Sequence, residues 1–399
     1  YLKNRLVRSA TWEGMCADDG RPTDNLLKCY RELALGGVGL IISGFAFVRP
    51  DGKQMPGKMG IHDDAFQANY EALTAAVHDA DGKIAVQLVH AGGQAGSAVA
   101  GRQPLGRTRQ VDGQPDERGR GGGPQGRAPE RAGVEDAPEW PHAVKVAQFS
   151  EEPAELRPDD INAIVAAFAA GARRARAWGF DAVQLHGAHG YLINQFLSPL
   201  TNRRTDAYGG GVANRCRFLR EVYQAVRAEV GEDYPVMIKL NAADNLEGGL
   251  EVEDAIAAAQ MLDALGIDAI EVSAGTPASG GRSPARLKIN APEKEAYHLN
   301  LAGRIKAAVR CPVMVVGGFR SFEVAARAVS PGGVDHVALS RPLIREPALP
   351  ARWQAGDHTP ARCISCNGCF KPGLEEGGIY CIVARKEAQE STRSKGETD

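Results

Sequence analysis

The stretch HGAHGYLINQFLSPLTNRRTDAYGG, residues 186–210, sets His186 and His189 three apart, with Tyr191 two further on, directly after the apolar run FDAVQL. Imidazoles so placed can donate hydrogen bonds to a carbonyl oxygen and stabilise negative charge growing on it. A phenol beside them can hand a proton to the neighbouring carbon. The same pair can be read as metal ligands or as satisfied core histidines. Zinc pairs on a helix usually stand four apart with a Glu between them, and no such Glu is present. Two donors and one acid match the needs of an α,β-unsaturated carbonyl.

Two further groups lie downstream. VVGGFRS carries Gly317 and Gly318, whose backbone N–H groups can approach an anion, with Ser321 placed to cap the helix that follows; SRPL adds Ser340 and Arg341. Of eight cysteines, Cys16, Cys29, Cys216 and Cys311 stand singly, while Cys363, Cys366, Cys369 and Cys381 crowd together with gaps of two, two and eleven residues. Three thiolates at two-residue gaps can wrap an iron–sulfur cluster and take a fourth ligand from farther along. A zinc knot, normally two separate Cys-x-x-Cys hooks, and free thiols are the alternatives. A secreted disulfide scaffold would be much shorter, which points to a reducing, cytoplasmic compartment.

These groups need positioning elements. Eight short apolar runs recur: NRLVRSA, GLIISGF, KIAVQLVH, DAVQLHG, VMIKLNA, AIEVSAG, PVMVVGG and HVALSRP. Runs apolar throughout suit strands buried on both faces, as in a parallel sheet. Segments of helical period, such as PDDINAIVAAFAAGARRARAWG and EVEDAIAAAQMLDALG, lie between several of them. The expected fold is α/β, a (β/α)8 TIM barrel, whose chemistry sits at the C-terminal ends of the strands. Residues 102–147, rich in Gly, Pro, Arg and Glu, read as an irregular surface excursion, and the chain after Arg385 as a loose polar tail. At 399 residues the chain suits one large domain or two average ones, its 43% hydrophobic content is enough for a proper core, and a net charge of −2 argues against nucleic acid or an anionic membrane as partner. No run of eighteen apolar residues predicts a membrane span. The chain opens on Tyr1, not Met, so the true N-terminus is open.

The motifs KNRLVRSAT, VQLVHAGG, GFDAVQLHGAHGYLINQFLSPLTNRRTDAYGG, GGFRS and ALSRPLIREP together resemble the old yellow enzyme family of FMN-dependent oxidoreductases over nearly the whole chain. The resemblance implies that His186 and His189 bind a substrate carbonyl oxygen and that Tyr191 is the proton donor. It places Ser9, Ala10, Thr11, Trp12 and Gly44 along the flavin ring, Gln87 on its pyrimidine edge, and Lys239 near N1, where positive charge stabilises reduced flavin. Gly317, Gly318, Ser340 and Arg341 would hold the phosphate. Trp12 departs from the cysteine or threonine found in several relatives. The cysteine set is similar to that of the 2,4-dienoyl-CoA reductase and trimethylamine dehydrogenase branch, which implies a 4Fe–4S cluster held by Cys363, Cys366, Cys369 and Cys381. The expected organisation is an FMN-binding barrel over 1–350 and a cysteine-rich Fe–S segment with a polar tail over 351–399. The implied activity is ene-reduction of an enone or enoyl small molecule. Oxidation of an amine or saturated substrate, an electron-transfer subunit, and a metal-dependent lyase are the alternatives. No G-x-G-x-x-G fingerprint follows Cys381, so electrons are expected from NAD(P)H or from a redox partner protein. A homo-oligomer is left open.

Overall fold

A computed structural model describes residues 1–95, 105–106 and 154–396. The excursion expected over 102–147 lies outside the described residues, except for 105–106, which form a short parallel pair with 154–155. Each of the eight apolar runs forms one strand: β1 (Leu6–Arg8), β2 (Leu40–Phe47), β3 (Ile84–Val89), β4 (Ala182–Gly187), β5 (Val236–Asn241), β6 (Ala269–Ser273), β7 (Val313–Val316) and β8 (His336–Leu339). They pair in parallel in chain order and close into a barrel, with Leu6 of β1 opposite Val337 of β8.

Alternation along the strands decides what fills the barrel. Successive side chains point to opposite faces, so residues two apart share the interior. Val7, Leu40, Ile42, Ala85, Ala182, Met237, Ala269, Met314 and Ala338 form a small apolar cluster of their own. One step of two further along come Ser9, Gln87, Gln184, Lys239 and Glu271, polar and buried. His186, Asn241 and Ser273 follow another two residues on, at the strands' C-terminal ends. Residues of opposite parity, among them Ile84, Val86, Leu88, Val183, Leu185 and Ile238, join the main core. The helix Pro158–Ala177 contributes Ile161, Ile164 and Phe168 to it, with Asp159 and Asp160 in its first turn and Arg174 and Arg176 in its last, matching the helix dipole. Among the described residues no helix is long and apolar enough to cross a membrane.

The C-terminal segment corrects two expectations. First, the polar tail is helical from Ile382 to Gly396, tied back by Arg345 to Glu387 at 2.7 Å and by Arg385 to Glu376 at 2.9 Å. Its Ala, Glu, Lys, Arg and Gln residues are strong helix formers without an apolar stripe, so propensity rather than periodicity was the signal. Second, the iron–sulfur expectation fails. Among the described residues no three His, Cys, Asp or Glu side chains gather to hold a metal ion. Cys363, Cys366, Cys369 and Cys381 border one small cavity as free thiols. Burial raises the Cys363 thiol and pushes Cys369 up to about 11. Spacing along a chain sets the reach of ligands but not their convergence. The 4Fe–4S cofactor and the Fe–S segment are therefore dropped, together with the resemblance to the dienoyl-CoA reductase and trimethylamine dehydrogenase branch that rested on those cysteines. Among the described residues no third His, Cys, Asp or Glu joins His186 and His189 to make a metal-binding group.

Candidate active site

A cavity of about 460 Å³ opens at the C-terminal mouth of the barrel. Ser9, Ala10, Thr11, Trp12, His189, Tyr191, Lys239, Gly318, Ser340 and Arg341 line it, so ten of the expected site residues meet in one place. His186, Gln87, Gly44 and Gly317 are not among the residues that line it. His186 is buried, with its ring centroid 4.6 Å from that of Tyr191. Gly44 sits where the β2 register shifts, and a side chain there would strike the Glu13 carboxylate.

The floor is one hydrogen-bonded layer. Gln87 Nε2 donates to Gln184 Oε1 at 2.6 Å, and Gln184 Nε2 donates to Glu271 Oε2 at 2.9 Å. Glu271 Oε1 accepts from Ser9 Oγ at 2.6 Å and faces Lys239 Nζ at 3.1 Å, and Lys239 Nζ also donates to Ser9 Oγ at 2.7 Å. Lys239 is thus a neutralised cation as well as a donor. Sequence reasoning missed Gln184 and Glu271. A charged residue inside the apolar run AIEVS was the available signal, because a buried carboxylate needs a partner.

The wall comes from the turn after β4. His189 holds a positive φ of 59° and Gly190 one of 77°, which folds the chain back over the strand end. Left-handed backbone at a histidine is uncommon. It is secured where Gln94 Nε2 donates to His189 O at 3.0 Å and Gly190 N donates to Asn194 Oδ1 at 2.6 Å. His186 Nδ1 accepts the Ala188 N–H at 3.3 Å, so a neutral His186 ring carries its proton on Nε2. Burial, then His189, Lys239 and Lys58, hold His186 well below the usual histidine range; burial, then Lys239 and His298, do the same for His189. Both rings are neutral donors near pH 7. His189 Nε2 pairs with Ser273 Oγ at 2.7 Å. The Tyr191 hydroxyl donates to Gln54 Oε1 at 2.7 Å, and burial raises its pKa.

At the far end, Gly317 and Gly318 lie against Tyr297, and a side chain at Gly318 would stand 2.6 Å from the tyrosine ring. Arg341 Nη1 donates to Arg286 O at 2.7 Å and Asn367 Oδ1 at 2.6 Å, so it also anchors the C-terminal segment. That segment sends Ser365, Phe370 and Leu374 into the cavity wall, and Gly373 packs on the Trp12 ring.

Residues 1–359 match the NADH:flavin oxidoreductase / NADH oxidase family, and the chain belongs to it. It is 34% identical over 373 residues to an NADH oxidase of Thermoanaerobacter brockii, covering 92% of this chain and 52% of that protein. An NADPH dehydrogenase of Bacillus licheniformis is 34% identical over 354 residues, covering 88% and 89% of the two chains. A solved 2-naphthoyl-CoA reductase in complex with 2-naphthoyl-CoA superposes with a TM-score of 0.79 at 28% identity, over 96% of this chain and 55% of that one. The chain thus spans about half the length of the Thermoanaerobacter relative and of the CoA-ester reductase.

FMN, the cofactor this family implies, fits the groups present. The buried Gln87 Oε1 and Trp12 Nε1 have no hydrogen-bond partner, and glycines rather than side chains stand at Gly317 and Gly318.

Proposed function

We propose that the protein is an FMN-dependent ene-reductase acting on α,β-unsaturated carbonyl compounds. What carries this reading is His189 and Tyr191 on the cavity wall, with the neutral His186 ring packed against Tyr191 behind them, above a buried polar floor. Gln87 would hold the flavin's pyrimidine edge, Ser9 to Trp12 and Gly44 its ring, Lys239 its N1 side, and Gly317, Gly318, Ser340 and Arg341 its phosphate. Bound FMN supplies the hydride for the substrate β-carbon. His186 and His189 donate to the substrate carbonyl oxygen, where charge grows as the hydride arrives. Tyr191 gives its hydroxyl proton to the α-carbon. To do so it must turn from Gln54 Oε1, its present acceptor.

The likeness to an NADH oxidase and an NADPH dehydrogenase supports a nicotinamide nucleotide as reductant. A protein redox partner had its motive in the iron–sulfur cluster and loses it with the cluster. Two measurements test the reading. Heating the purified protein should release FMN and no FAD. Anaerobic mixing of the chemically reduced protein with 2-cyclohexenone should reoxidise the flavin at a rate that rises with enone concentration; reduced flavin unmoved by any enone would sink the proposal.

A further inference from the structure

Lys58 has no part in these roles, yet it lines the same cavity. It lies in the loop between β2 and the helix Gln67–His78, and its side chain folds inward until the residue is 2% exposed. Its Nζ stands 3.5 Å from the Phe45 ring centroid and 5.6 Å from that of Tyr191. Its hydrogen-bond acceptor is Gln54 Oε1, the atom that also takes the Tyr191 hydroxyl. Burial holds the amine well below the usual lysine range, and no carboxylate among the described residues offsets that. The contrast with Lys239 is direct, since that equally buried amine has Glu271 at 3.1 Å. An aromatic face and one amide oxygen favour an ammonium, but they do not replace a counter-charge. A buried amine left short of a partner on a cavity wall is suited to an anion that arrives with the ligand.

We infer that Lys58 is an anion-recognition residue, and that the substrate is an α,β-unsaturated carbonyl bearing a carboxylate across the double bond from the carbonyl. This rests on the enone-reduction reading above. Tyr191 neighbours both groups: its ring is 4.6 Å from that of His186, centroid to centroid, and 5.6 Å from Lys58 Nζ. A substrate whose carbonyl oxygen sits on the histidines and whose alkene lies at Tyr191 has Lys58, on the same cavity wall, within reach of its far end. A carboxylate there supplies the missing counter-charge and fixes which carbon faces the phenol. A charge-assisted hydrogen bond of this kind is about twice as strong as a neutral one.

The test compares trans-4-oxo-2-pentenoate with its methyl ester, which has the same alkene and ketone without the charge. Each is mixed anaerobically with the reduced holoprotein at pH 7, and flavin reoxidation is followed at low substrate. The wild type should favour the acid over the ester by about tenfold or more. Lys58→Met should bring that ratio to one or below, and Lys58→Arg should keep it above one. Weaker binding of 4-oxopentanoate to oxidised Lys58→Met, read from the flavin spectrum, gives a second measure independent of turnover. A wild type that treats acid and ester alike, or a Lys58→Met variant that keeps the preference, overturns the inference. If 2-cyclohexenone is reduced in the same preparation, the ene-reductase reading survives that outcome; if no enone is reduced, both fall.

Discussion

Two residues of the site, Tyr191 and Glu271, were not equally legible. Tyr191 stood out in the sequence because it follows two histidines at a strand end. Its substitution by Phe removes the proposed acid and leaves the ring packed on His186. Substrate reduction in Tyr191→Phe should fall by about 100- to 10,000-fold, while flavin content and reduction by NAD(P)H stay close to wild type; unchanged turnover would mean that the proton comes from elsewhere. Glu271 was hidden, since one charged letter in an apolar run does not reveal the three donors that converge on it. Removing it strands Lys239 in a buried layer, and breaking one side of such a pair costs about 3–5 kcal/mol. Glu271→Ala should therefore lower the thermal midpoint clearly. Glu271→Gln, which keeps the shape but frees the Lys239 charge, should shift the flavin midpoint potential upward. Lys58 and Gln54 were less legible still, because they lie in a loop whose sequence has no period. Only their meeting in space with Tyr191 gives them a role.

At the level of elements, the barrel was readable because every strand is a short run apolar on both faces, and eight of them are separated by helical stretches. Alternation then orders the interior: an apolar layer, the Gln87–Gln184–Glu271 layer, and the histidines at the rim. The period of two was present in the sequence, but which parity faced inward was not, because both faces are buried. Cysteine spacing misled for a related reason, since it carries no information on where side chains point. The strand-to-helix turn after β7 offers a sharp check. Gly318 has a φ of 76° and lies against the Tyr297 ring. Gly318→Ala is strained twice, in its backbone and against the ring, so the purified variant should retain much less flavin per chain than wild type. Full retention would show that this turn does not border the cofactor. Arg341, at the start of the next helix, holds Arg286 and Asn367 together, so Arg341→Ala should also expose the segment around 365–374 to limited proteolysis.

For the molecule as a whole, the site's burial sets a pH limit on its stability. Among the described residues six histidines have folded-state values below the 6.5 of an unperturbed ring; His62 and His336 are shifted least, and His90, His186, His189 and His298 furthest. Burial pushes His90 down to about 3 and His298 to about 4, and holds His186 and His189 well below the usual range. As pH falls through 6.5, the unfolded chain takes up these protons and the folded chain does not. Their stabilisation is therefore complete above about pH 6.5 and is lost towards acid, by about 1.4 kcal/mol per pH unit for each ring that stays neutral. Glu13 works in the opposite sense. Burial raises it from 4.5 to about 7, so the folded state gains on the unfolded one as pH falls between those values. Four rings outweigh one carboxyl. The urea midpoint should accordingly drop between pH 7.5 and pH 5.5, by the equivalent of a few kcal/mol. His90→Gln removes one of the four rings and should flatten the slope measurably. A midpoint that holds or rises over that interval would show that these imidazoles are charged inside the folded protein, which would also remove the neutral-donor role given to His186 and His189.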